Sequence, residues 1–125
     1  MRTANITIDG RDYLLCFSAR AMRACTERYG GVEHIDTALS GKGAGKALDE
    51  AVWLLATLMD CGARYARLNG KDNPPALSAE DLYDVLEAED FAVLKDKIVE
   101  TVLSGRAPTV EAEPPKNAKT TPAAQ

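Results

Sequence analysis

Paired metal ligands, a long apolar run, an excess of positive charge and a good supply of aromatic side chains are all missing from this chain of 125 residues. Cys16, Cys25 and Cys61 are odd in number, widely spaced and set among apolar neighbours. They exclude a disulfide framework and read as small buried hydrophobes kept reduced. His34 is the only histidine, so ligand pairs for a metal are lacking, and neither a metal nor a cofactor is expected. The longest apolar run, Ala51 to Met59, is broken by Thr57. It falls far short of the roughly 20 residues a membrane span requires. Met1-Arg2 opens onto polar, alternating sequence rather than the apolar stretch of a secretory leader, which points to the cytoplasm. A net charge of −4 argues against nucleic acid as a partner, because phosphate binding needs a basic face. Aromatic residues make up only 6% of the chain, so its core must be built mainly from aliphatic side chains and alanine.

What is present is a strong alternation of pattern. Ile6 and Ile8 alternate with Asn5 and Thr7, the period of a half-buried strand. Tyr13, Leu15 and Phe17 repeat that period after Asp9-Gly10-Arg11-Asp12. An antiparallel hairpin puts Ile6, Ile8, Tyr13 and Leu15 on one side, whether its turn centres on Asp9-Gly10 or Gly10-Arg11. Such a hairpin is marginal alone in water, so its apolar face must lie on helices or on another subunit.

Helical spacing takes over at Ser18, which can cap a helix whose Met22, Cys25 and Tyr29 form one stripe. Gly30-Gly31 ends it, and a short helix with Ile35 and Leu39 four apart follows. Gly41 to Lys46 reads as a connector. The longest helix, from about Ala47 to Leu68, carries two apolar stripes. Leu48, Val52, Leu55 and Met59 form one; Ala51, Leu54, Leu58 and Cys61 form the other, with Trp53 beside them. So wide an apolar surface marks a central helix with several neighbours. After the break at 69–75, Ser78 and Asp81 form a capping box for a helix with Leu82, Val85 and Leu86 inward. Glu89-Asp90 interrupts it, and Phe91, Leu94, Ile98 and Val102 define a last helix. The expected fold is α+β and mainly helical. An N-terminal β-hairpin packs on a bundle of about four to five helices within residues 1–105. Residues 106–125, with Pro108, Pro114, Pro115 and Pro122, are expected to be a disordered tail.

Chemistry-bearing motifs are scarce. Ser40-Gly41-Lys42-Gly43-Ala44-Gly45-Lys46-Ala47 looks like a phosphate-binding loop but is one residue short. It also has Ala47 where a magnesium-binding hydroxyl belongs, and no buried strand precedes it. No pair of groups sits at a spacing suited to catalysis, so the chain is expected not to be an enzyme. Gly30-Gly31 leads into a short helix without basic residues, which argues against a DNA-binding helix-turn-helix. Two surfaces suit a partner. Trp53, Leu54, Leu55, Leu58 and Met59 are candidates for a self- or partner-binding helix face. Glu80, Asp84 and Glu87 fall on one helix face, with Asp81 beside them, as a dock for a basic partner. The second surface belongs to a charged block: residues 72–104 hold two basic and nine acidic side chains, a net −7.

The hairpin ends in Phe17-Ser18-Ala19-Arg20-Ala21-Met22, and the next helix closes on Glu27-Arg28-Tyr29-Gly30-Gly31. The short helix of Ile35 and Leu39, the long alanine- and leucine-rich helix, the acidic helical end and the polar tail complete the layout. Across residues 4–104 this resembles the tail assembly chaperones of long-tailed, siphovirus-like bacteriophages and prophages. These are small proteins encoded between the tail tube and tape-measure genes. What is shared is a spacing of hydrophobic and glycine positions, which carries no set of binding residues with it. The resemblance implies a non-catalytic protein of the bacterial host cytoplasm. It would bind the helical tape-measure protein, recruit tail tube protein and be absent from the finished virion. A homo-oligomer is compatible with it. Two other readings stay open: a structural head–tail connector or minor tail protein, and a small cytosolic prophage-encoded adaptor or regulator.

Overall fold

A computed structural model describes residues 3–41 and 43–105. The tail expected at 106–125 lies outside the described residues. Strands β1 (Thr3–Ile8) and β2 (Arg11–Cys16) form the antiparallel hairpin. Its loop is Asp9-Gly10, with φ of 54° and 82°. A two-residue hairpin loop of this hand needs positive φ at both positions, which Asp tolerates and Gly adopts freely. The loop fixes the register: Ile8 faces Arg11, Ile6 faces Tyr13 and Ala4 faces Leu15. All but Arg11 are buried on one face.

Helix α1 (Ala19–Tyr29) starts where expected, with the Ala21 amide donating to the Ser18 hydroxyl at 3.5 Å. It ends at Gly30, whose amide donates to the Thr26 carbonyl. Its buried positions differ from the expected stripe. Ala21 and Cys25 face the core, while Met22 is 51% exposed. Cys25 and Tyr29 stay on the inner side and Ala21 takes the place of Met22, so that two small side chains rather than a long one meet the core.

A 3-10 turn (Val32–His34) leads into α2 (Ile35–Leu39), which buries Ile35 and Leu39. Helix α3 (Ala44–Leu68) begins three residues before the expected start and takes in part of the presumed connector. Both of its predicted stripes are buried, apart from Leu48, which is partly exposed. Helix α4 (Ala79–Val85) has the predicted capping box: the Asp81 amide donates to Ser78 Oγ at 3.1 Å and the Ser78 amide to Asp81 Oδ2 at 3.3 Å. It stops earlier than expected, because Leu86 is extended (φ −84°, ψ 146°). The Glu87 amide then donates to Asp90 Oδ2 at 2.7 Å, closing a second box over the 3-10 turn Ala88–Asp90. Helix α5 (Phe91–Ser104) buries Leu94, Ile98, Thr101 and Val102.

The hairpin lies on two helices, α3 against β2 and α5 against β1, while α2, α1 and α4 surround α3. Contact between α3 and β2 is backbone to backbone. A Cβ added to Gly62 would fall on the Leu14 carbonyl. Asn73, in the segment after α3, completes this edge by accepting the Leu14 amide on its side-chain Oδ1 at 3.0 Å. No described helix is long and apolar enough to cross a membrane.

Gly62→Ala must therefore push helix from strand. Overpacking of this kind costs about 1–3 kcal/mol or somewhat more. Urea unfolding should show that loss, while Gly45→Ala, where an added Cβ meets open space, leaves stability level or raised. Equal midpoints for the two variants would contradict the close contact.

Candidate functional site

The described residues hold one buried carboxylate, and it is fully engaged. Glu50 lies on the core side of α3, three residues from buried Ala47 and four from buried Leu54. Its side chain reaches the end of α1. Arg28 donates from Nε to Glu50 Oε1 at 2.8 Å and from Nη2 to Oε2 at 3.3 Å, and the Tyr29 hydroxyl donates to Oε1 at 2.6 Å. Lys46 stands 3.8 Å from Oε2. Trp53, one turn further along α3, carries the Arg28 guanidinium 4.5 Å above its ring and meets Tyr29 edge-on at 5.8 Å. Beside this cluster an open cavity of about 580 Å³ is bounded by Arg28, Tyr29, Thr37, Ala38, Lys46 and Glu50.

The charges here are locked rather than poised. The hydrogen bond from Arg28 holds the Glu50 carboxyl below its ordinary range, against the opposing effect of burial. Burial, and then the bond to Glu50, raise the Tyr29 phenol well above its ordinary value. Neither group exchanges a proton near neutrality, so the cluster acts as a clasp between α1 and α3. Burial pushes the Cys25 thiol up to about 11, and burial also raises that of Cys61. Both stay protonated and are poor nucleophiles. No group of three or more potential metal ligands occurs among the described residues.

The candidate interface residues separate into two sets. Leu54, Leu55, Leu58 and Met59 are 0% exposed, so in this fold they are core and present no surface. The Met59 sulfur even accepts the Leu77 amide at 3.2 Å. Trp53 is half-buried beneath Arg28. Glu80, Asp84 and Glu87 are all exposed. Glu80 and Asp84 project from α4, but Glu87 lies past its end, so the three are not on one helix face as expected.

Exposed apolar side chains accompany these carboxylates. Tyr83, Val85 and Val93 are 42%, 37% and 56% exposed. Val85 and Val93 line a groove of about 250 Å³ with Ile6, Ile8 and Leu86, edged by Asp9, Glu87 and Asp90. The Tyr83 hydroxyl donates to Asp49 at 2.6 Å, a bond that raises its pKa to about 12. This acid-edged apolar groove at the hairpin tip is the candidate interaction site. Of the acids that edge the groove, sequence reasoning found Glu87 but neither Asp9 nor Asp90, Glu80 and Asp84 lie outside its lining, and both the hairpin wall and the clasp were missed. A carboxylate on the buried flank of α3 was the available sign of the clasp.

The last four residues of the phosphate-loop lookalike, Ala44 to Ala47, form the start of α3, and the element before α3 is a helix rather than a strand. Compared with known proteins, the chain matches no family model, no curated protein and no solved structure.

Because the folded-state pKa of Glu50 is depressed, its stabilisation is fully present above the ordinary value of 4.5 and is lost as pH falls through the lowered value. Glu50→Gln should cost about 1–3 kcal/mol near neutrality, and the gap to wild type should narrow in acid. Chemical denaturation at neutral pH and below pH 4 would measure both; a gap that stays constant contradicts the ionised clasp.

Proposed function

We propose that this chain is a non-catalytic tail assembly chaperone of a long-tailed bacteriophage or prophage. It binds the tape-measure protein and assists assembly of the tail tube around it. The layout of hairpin, capped helix, short helix, long central helix and acidic helical end supports this reading, as it carries the family resemblance.

The observation that carries it physically is the acid-edged apolar groove of α4, α5 and the hairpin tip. A tape-measure protein is a long amphipathic helix that aggregates when its apolar side is bare. A groove presenting Val85, Val93 and Leu86 can cover part of such a side. The net −7 of residues 72–104 draws in basic stretches of the partner and keeps neighbouring copies apart along the same filament. With Leu54, Leu55, Leu58 and Met59 committed to the core, the work of binding falls to this outer surface rather than to α3.

Co-expression with the adjacent large helical gene product should render that product soluble and co-purify it. Purified virions should lack the chaperone by mass spectrometry, whereas a connector or minor tail protein would be retained. The combined variant Glu80→Lys, Asp84→Lys and Glu87→Lys should bind roughly tenfold more weakly, about 1.4 kcal/mol. Wild-type binding should also fall with added salt. A partner that stays insoluble, or binding indifferent to the three reversals, would overturn the reading.

A further inference from the structure

We infer that β1 is a self-association edge: two copies pair their β1 strands antiparallel about a two-fold axis, making one four-stranded sheet.

The two edges of the hairpin are treated differently. On β2 the outward amide of Leu14 is taken by Asn73 Oδ1, and α3 presses against the Leu14 carbonyl at Gly62. That bond also fixes the state of the opposite strand. Leu14 faces Asn5, and an outward Leu14 amide makes this a non-hydrogen-bonded pair. Asn5, and by alternation Thr3 and Thr7, therefore direct their backbone groups away from β2. No hydrogen bond from another described element reaches the backbone of Asn5 or Thr7. The β1 edge is open.

It is also undefended. Open edges are ordinarily blunted by charge, proline or a bulge. Here β1 reads Thr-Ala-Asn-Ile-Thr-Ile, six residues in unbroken register with β2. It is the one described element without a charged or titratable side chain.

The occupant that fits is a second copy. The chain has a net charge of −4, and its α4–α5 side repels a like surface. The neutral strand is where two such molecules can meet without opposing like charges. An axis through Asn5, perpendicular to the sheet, sets Asn5 against its equivalent and Thr3 against Thr7 of the second copy. All of these are small or polar uncharged residues. The same axis keeps both apolar faces on one side, with Ala4 beside Ile6 of the second copy. The buried layer thus continues across the junction, each half already covered by its own α5.

Light scattering and sedimentation of the full chain over a concentration series should show the mass rising from one chain, 13.4 kDa, to twice that value. Asn5→Lys places two like charges at the axis but breaks no bond within the hairpin. It should keep its circular dichroism and Trp53 emission and hold the single-chain mass at every concentration. Asn5→Cys gives a direct positive test. Opposed residues of a hydrogen-bonded antiparallel pair have Cα atoms about 5.5 Å apart, within reach of a disulfide. Mild oxidation should crosslink it into a covalent dimer, while Asp12→Cys on β2 should not crosslink. A wild-type chain that remains at single mass up to millimolar concentration, an Asn5→Lys variant that still doubles, or equal crosslinking at both cysteine positions would overturn the inference. None of these readouts depends on the chaperone reading.

Discussion

The contact on which the rest of the molecule depends is that of Gly62 on the Leu14 carbonyl. A two-stranded hairpin is marginal in water and must be held by something else. Here α3 approaches β2 so closely that no side chain fits between the two backbones at that point. This approach brings Leu54, Leu55, Leu58 and Met59 into one layer with Tyr13 and Leu15. It also leaves α5 to cover β1. Asn73 extends the constraint beyond α3, because its bond to Leu14 ties the following segment to the same strand. The hairpin wall of the outer groove is thus positioned by a contact on the far strand.

A second attachment works further along α3, toward its N-terminal end. The small contacts of Ala21 and Cys25 seat α1 on the core, and the Arg28–Glu50–Tyr29 clasp fixes where the helix ends. Arg28 and Tyr29 also cover the one tryptophan. With both attachments drawing on α3, that helix has little apolar surface left for a partner. The exposed apolar side chains near the acids come instead from α4 and α5, which bury Leu82 on the one hand and Leu94 and Ile98 on the other.

Local chemistry made much of this legible in the sequence. Alternation gave the strands, Ser18 and Ser78-Asp81 the helix starts, and the double stripe marked α3 as central, while the turn stayed open between Asp9-Gly10 and Gly10-Arg11. Those features are set by near neighbours in the chain. The features that escaped depend on distant ones. Periodicity alone favours Met22 over Ala21, and only the closeness of α1 to the core selects the smaller residue. Gly62 looks like an ordinary weak point of a helix until the strand beside it is known. Glu50 looks like a solvated acid until Arg28 and Tyr29 arrive from 22 and 21 residues away. Glu87 matches helical spacing with Glu80 and Asp84, yet the second capping box at Asp90 takes the chain out of the helix first. The two apolar stripes of α3 were correctly seen, but a sequence cannot say whether a wide apolar face is closed by its own chain or by another.

The central claim is that α3 is a closed core and that partners are met by the surface of α4, α5 and the hairpin tip. Residue-resolved hydrogen exchange, on the free protein and on its complex with the co-expressed large helical product, tests it most directly. The account predicts that amides from Leu54 to Met59 exchange only through global unfolding in the free chain. New protection on binding should then fall within residues 79–104. Local opening of Leu54 to Met59 in the free chain, or binding that perturbs α3 while leaving 79–104 unchanged, would contradict it.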